Sequence, residues 1–457
     1  MKKISNILRK FKEIWSIEEL RTKILNTLLF LLVYRIGTFI ILPGIDSPKL
    51  AGLQGQTDGS LLSLINIFAG GAFARGAIFA LGIMPYISAS IVVQLMGIAV
   101  PAFQRMQKEG EDGRRKLNQI TRFLTIAITI VQSIGYLYNI KETPGNGDAL
   151  LFVSNPDLMS PFMFMFVNVL LLTAGTIFVM WLGEKITDKG LGNGISLIIM
   201  IGIIDSLPGA IGFEFLSKLE SGGLPMFLLQ MAFWLFVIIA CILLVQGTRK
   251  IPVNYAKRIQ GNRQYGGSRQ YLPLKVNASG VMPIIFAQAL MFIPPSLATF
   301  FPNSTSGFLN KMGDFTSLPY NIVFGTLIIL FTYFYTAIMV NPKQMAEEMK
   351  KNGGFIPGVK PGRKTAEYID NVMSRITFPG SLFLALVSIL PAIAVFFKVS
   401  PSFATFYGGT SLLIMVGVVL DTLQQVESYL LMRHYDGLMK TGRIKGRMGT
   451  GMTSSSI

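Results

Sequence analysis

The chain has 457 residues, 51% of them hydrophobic and 14% charged, with a mean hydropathy of +0.53, a balance that excludes a soluble globular protein. A single cysteine, Cys241, excludes an internal disulfide framework, and a single histidine, His434, removes most metal and acid–base constellations. The formal net charge is +17, so the placement of basic residues should orient the chain in a membrane.

The first 23 residues have no apolar core followed by a small-residue cleavage site. Ile4, Ile7, Leu8, Phe11, Ile14 and Trp15 recur at helical spacing among Lys2, Lys3, Arg9, Lys10 and Lys12. This pattern suits an amphipathic helix on an anionic membrane face, with a basic tail as the alternative. Apolar runs of membrane-crossing length then follow to the end of the chain, about ten in all. They fall near 24–42, 77–100, 119–138, 162–182, 191–213, 225–245, 274–300, 319–341, 374–397 and 408–430, with Pro208 and Pro283 interrupting the fifth and seventh. The predicted fold class is therefore an all-α polytopic membrane protein.

Between the first two spans, the short apolar stretch Leu61–Phe68 runs into Gly70–Gly71 and the lone Arg75. Paired glycines permit a hinge between two helical pieces. A half-length helix hinged to a full one belongs where protein or water surrounds its freed backbone groups. This stretch is therefore predicted to be a movable stopper at the mouth of a cavity.

Lys and Arg cluster in the N-terminal segment, in Arg105–Arg122, Arg249–Lys275 and Lys343–Arg375, and in the tail Arg433–Arg447. The intervening loops carry Lys49, Lys141, Lys218, Lys311 and Lys398 singly, beside acidic residues. The basic side is the cytoplasmic one, which places both termini there. Two loops on that side, 246–275 and 341–375, are longer than a connection requires. Their basic residues, tyrosines and turn signals suit docking surfaces for a large partner, although they also satisfy the positive-inside bias.

No zinc-type H-E-x-x-H, phosphate-cradling loop or G-x-S-x-G elbow occurs, so no catalytic residue, metal or cofactor is predicted. GLGNG at 190–194 follows a span and reads as a tight turn. Arg35 and Asp421 lie within predicted spans, where pairing to backbone carbonyls or polar neighbours is the expected role. Ile83 with Ile87 and Ile195 with Ile199 share helix faces four residues apart. Two such faces meeting across a cavity would form an apolar collar, which contacts a passing polymer without binding it and excludes ions by dewetting. Isoleucine pairs are also ordinary in membrane helices, and composition alone leaves open a channel, a secondary transporter or an intramembrane enzyme.

The motifs YRIGTFIILPGID, NIFAGGAFARGAIFALGIMPYISASIVVQL, KEGEDGRRK, MWLGEKITDKGLGNGIS, VNYAKR, LPLKVNASGVMP, FYTA followed by NP, and YGGTSLLI run from the first span to the last. On these the chain resembles the SecY family, the central channel subunits of the bacterial Sec protein translocase. The resemblance implies two five-helix halves, 24–213 and 214–430, around an hourglass pore, followed by a tail, 431–457. It implies a plug at about 61–74, including Ser63, Asn66, Phe68, Gly70 and Gly71. It implies a pore ring of Ile83, Ile87, Ile195, Ile199, Met282 and Ile414, in which Met282 replaces the usual branched aliphatic. A lateral gate between the second and seventh spans would use Ser88, Ser90, Gln94 and Asn277, and would release membrane segments of a substrate into lipid.

The implied cytoplasmic docking residues are Arg258, Arg263, Lys360 and Arg363, with Lys360 standing where the family typically has arginine. In the earlier loop Asn262 and Tyr271 also depart from the family's usual basic residue and histidine. Implied partners are SecE, SecG, the SecA ATPase, the translating ribosome, signal peptides and nascent chains, and the lipid bilayer of the bacterial cytoplasmic membrane. The resemblance implies no cofactor and a conduit that is not itself an enzyme.

Overall fold

Most of the architecture follows from helices of membrane-crossing length. The computed structural model describes residues 14–50, 61–142, 150, 160–220, 222–255, 258–260, 263–265, 269–291, 312 and 314–441. Its helices in chain order are α1 (Glu18–Gly37), α2 (Leu61–Phe68), α3 (Ala72–Arg75), α4 (Met84–Ala99), α5 (Pro101–Lys108), α6 (Glu111–Glu142), α7 (Pro161–Lys189) and α8 (Gly194–Glu220). They continue with α9 (Leu224–Gln246), α10 (Met282–Met291), α11 (Leu318–Met339), α12 (Pro342–Lys351), α13 (Arg363–Phe396), α14 (Pro401–Ala404) and α15 (Gly409–Thr441). Seven stretches among the described residues are long and apolar enough to cross a membrane, and α4 with α5 makes an eighth if that pair, bent by 97°, counts as one. Of the remaining predicted spans, the first is α1, whose 20 residues include Arg21, Lys23 and Arg35. The seventh contains α10, and its continuation beyond Met291 lies outside the described residues.

Proline and small polar residues set where these helices begin. Proline occupies the first turn of α4, α5, α7, α9, α11 and α12. Its missing N–H costs nothing there, and its fixed φ suits a helix start. Ser160, Ser317 and Asn341 cap α7, α11 and α12 by accepting backbone N–H bonds from Met163, Tyr320 and Gln344. The second predicted span accordingly begins late. Residues 77–83 form turns and short bridges, with Gly82 at φ 54°, and the helix starts at Met84, beside Pro85. Pro283 likewise opens α10, so the span drawn from 274 becomes helical only at 282. Pro208, by contrast, lies inside an unbroken α8.

The connections are more structured than predicted. The boundary drawn at residue 23 falls inside α1, the one at 214 falls inside α8, and α15 runs on to Thr441. Among the described residues, five short strands accompany the helices of the all-α fold: β1 (Thr248–Tyr255), β2 (Arg258–Gln260), β3 (Arg263–Tyr265), β4 (Arg269–Lys275) and β5 (Gly354–Phe355). β1 pairs antiparallel with β4, Ile251 opposite Leu272, and takes β5 on its other edge. β2 and β3 form a separate antiparallel pair. Ile251 and Val253 alternate inward along β1 and meet Leu274, Met349, Ile356, Ile369 and Met373. The two long loops are therefore one structural unit with its own core, separate from the large core of the helical bundle.

Polar contacts tie the helices near the GLGNG turn. Leu191 N donates to Thr27 Oγ1 at 2.9 Å and Gly192 N to Gln425 Oε1 at 2.8 Å, joining α7–α8 to both α1 and α15. Asn193 caps α8 through Ile195 N and Ser196 N. Arg122 makes a two-pronged bond to Glu184 between α6 and α7, and Lys23 meets Tyr429. At the far ends of α8 and α13, the buried Glu214 accepts Ser400 N at 3.0 Å, and Lys218 donates to the Lys398 carbonyl at 2.8 Å.

Candidate functional site

The stopper predicted around the glycine pair is folded into the interior. After α2 the chain turns through Gly70 (φ 62°) and Gly71 (φ 78°), angles that favour glycine, and re-enters a helix at α3. Ile67, Phe68, Ala69, Ala72, Phe73 and Ala74 are buried. Asn66 braces the turn: its Oδ1 accepts Ala74 N at 3.0 Å, and its carbonyl accepts Gly71 N at 2.8 Å. Tyr136 of α6 donates to the Phe73 carbonyl at 2.7 Å, its ring 4.7 Å from that of Phe73. Beyond α3, Leu42 N bonds the Gly76 carbonyl and Ile78 N the Ile40 carbonyl, which fastens the segment to the exit of α1. Ser63 lies on α2.

This segment seats on the backbone beside both isoleucine pairs. A Cβ on Gly202 of α8 would lie 2.6 Å from the Phe68 carbonyl oxygen and 2.9 Å from that of Ile67, so only a glycine admits the contact as it stands. A Cβ on Gly82 would come within 3.6 Å of Ala69. Gly82 immediately precedes Ile83, and Gly202 follows Ile199 by three residues on the face that Ile195 and Ile199 share. Ile83, Ile87, Ile199 and Ile414 are buried, while Ile195 and Met282 are half-buried, and all six pack within the bundle core. Each lies at or within the first two turns of its helix, α4, α8, α10 or α15.

Arg35 sits in the last turn of α1 rather than mid-span, because the helix ends at Gly37. Its Nη2 donates to Asp205 Oδ1 of α8 at 2.5 Å, and its Nη1 donates to the Gly70 carbonyl at 3.4 Å. The expected pairing of Arg35 is thus met by a partner that the sequence reading passed over. Asp205 was visible as the lone acidic residue of the fifth apolar run, three residues after Gly202. Tyr136 gave no such signal. Asp421 is exposed, and among the described residues no cation pairs with it.

The four residues expected at a gate share no hydrogen bond between the second and seventh spans among the described residues. Ser88 Oγ donates to the Met84 carbonyl, Gln94 Nε2 to Ser90 Oγ, and Ser279 Oγ to Asn277 Oδ1, each bond staying within its own element. In the strand unit, Arg258 of β2 faces Tyr265, and Arg263 of β3 faces Gln260. Lys360 is exposed, and its carbonyl accepts Thr365 Oγ1 at 3.0 Å. Arg363 opens α13, exposed and paired with Glu367 one turn on at 3.1 Å. The four residues expected to dock a partner thus lie on β2–β3 and at the entry to α13.

The SecY family model matches residues 77–423. The protein translocase subunit SecY of Chlamydia trachomatis serovar D is 42% identical over 461 aligned residues, 95% of this chain and 99% of that protein. A solved protein-conducting channel aligns over 93% of this chain and 94% of its own, with a TM-score of 0.61 and 19% identity. Sec61 in the canine ribosome–channel complex from the endoplasmic reticulum aligns over 93% and 94%, with a TM-score of 0.58 and 18% identity. A family match over residues 77–423 and a relative 42% identical over 95% of this chain lead to one conclusion: this chain belongs to the SecY family.

Proposed function

We propose that the chain forms a protein-conducting channel, closed at rest by the segment around α2. It passes unfolded secretory polypeptides across the bacterial cytoplasmic membrane and releases membrane segments sideways into lipid. The observation that carries this reading is the seat of the stopper: Phe68 and Ala69 lie against Gly202 and Gly82, the backbone positions flanking Ile199 and Ile83. A stopper held beside two isoleucine pairs blocks the path those side chains would line. Ile83, Ile87, Ile195, Ile199, Met282 and Ile414 form the collar, and Met282 makes it more pliable.

A signal helix binding between α4 and α10 favours the open state by contacts that the closed state does not offer. Ser88, Ser90, Gln94 and Asn277 line that gate. Their hydrogen bonds run within each element, so the gate parts without breaking a bond between them. Directional force comes from a partner on the cytoplasmic side, SecA or a translating ribosome, docked on the strand unit and on Arg258, Arg263, Lys360 and Arg363. SecE and SecG complete the complex, and both termini are cytoplasmic.

Deleting Ser63–Ala72 tests the reading. In the reconstituted complex it should raise resting ion conductance. A deletion that abolished transport without any leak would favour a solute transporter instead.

A further inference from the structure

We propose that Arg35 and Asp205 form a latch that sets how firmly the plug is held shut. The inference rests on the plug reading above and assigns the residues that control it. One guanidinium has two acceptors, the Asp205 carboxylate on α8 at 2.5 Å and the Gly70 carbonyl on the plug turn at 3.4 Å. The first acceptor belongs to the wall and the second to the moving part. A planar fork of donors can serve both at once, which a lysine ammonium on a single flexible stem does poorly.

The local backbone makes the plug an apt target for a cation. Gly70, at positive φ, follows the C-terminal end of α2 by two residues, and the negative end of a helix favours a nearby cation. Gly202 admits this end of α2 to backbone contact, and Asp205 stands on the same helix three residues on, close to the same face. The Phe39 ring lies under the guanidinium groups of both Arg35, at 5.4 Å, and Arg75, at 4.6 Å, which limits their swing.

The latch is also built to reopen. Side-chain exposures of 22% for Arg35 and 30% for Asp205 leave the pair only partly enclosed by the protein. When the plug departs, Arg35 loses one neutral acceptor and keeps its counter-ion. No bare charge is left in the wall, so opening avoids the penalty of an unpaired buried ion.

The test is the resting conductance of the full reconstituted channel complex in planar bilayers, comparing wild type, R35K, D205N, a chain lacking Ser63–Ala72, and that shortened chain carrying either substitution. R35K keeps the ion pair and loses the second arm. D205N leaves the guanidinium without the carboxylate that aims it. Each should raise resting conductance roughly tenfold, the lower end expected for a long hydrogen bond to a charged group. In a chain lacking Ser63–Ala72, whose conductance should already be high, R35K and D205N should add nothing. If that deletion raises conductance while neither substitution does, the latch is wrong and the plug reading stands. A further rise of the same size from either substitution in the plug-less chain would assign the pair to holding α1 against α8, and would also overturn the latch. If the deletion itself has no effect, the plug reading falls. R35K changes no charge, so it remains informative should D205N fail to fold.

Discussion

Substituting Gly202 by alanine isolates the seat of the plug from every charged group around it. The added Cβ would lie 2.6 Å from the Phe68 carbonyl oxygen, 2.9 Å from that of Ile67 and 3.1 Å from Gly70 N. All three are backbone atoms, so no side chain can rotate away, and the plug must retreat by about 0.8 Å to restore ordinary contact at 3.4 Å. Overpacking of this kind costs about 1–3 kcal/mol. The cost falls on the closed state alone if the plug leaves this seat on opening. At tenfold per ~1.4 kcal/mol, the closed-to-open ratio should fall roughly 5- to 150-fold. Single-channel recording of the reconstituted complex without substrate reads this directly as open probability. Gly209→Ala on the same helix is the matched control, because nothing lies within 4 Å of a Cβ there. An open probability for Gly202→Ala equal to that of wild type and of Gly209→Ala would refute the reasoning.

Two predictions concern the strand unit. Ile369 is fully buried in the second core, so Ile369→Ala should cost about 2–5 kcal/mol locally. Limited proteolysis of the purified complex should then cut faster within 341–375, with resting conductance unchanged; unaltered cleavage would contradict an independent core there. Arg258→Ala combined with Arg263→Ala should weaken ribosome binding and flatten its salt dependence, since each arginine lost removes a phosphate-neutralising charge. A binding curve and salt slope like those of wild type would remove these residues from the docking surface.

Legibility differed from one part of the chain to another for physical reasons. The glycine pair announced a hinge because few residues tolerate φ near 62° and 78°, and the structure places both there. Span positions followed from apolar length, whereas two starts moved inward to where a proline sits in the first turn, at Pro85 and Pro283. The strands were missed because β1 alternates over only a few residues, Ile251-Pro-Val-Asn-Tyr255, within a loop dominated by charge. One of its partners, β5, belongs to the other long loop, far along the chain. Arg35 drew attention as a membrane-embedded charge, yet pairing it with Asp205, 170 residues away in sequence, requires knowing that α1 and α8 are neighbours. The seat on Gly202 was invisible for a related reason, since a glycine in an apolar helix shows its purpose only when a backbone is seen against it.

The central claim is that a polypeptide passes between the isoleucine pairs. A photo-reactive side chain placed at Ile87 or Ile199, in complexes carrying a stalled secretory precursor, tests it most directly. Capture of the precursor at both positions, and not of a precursor lacking its signal segment, is the predicted result. A precursor trapped midway across the membrane yet captured at neither position would contradict it.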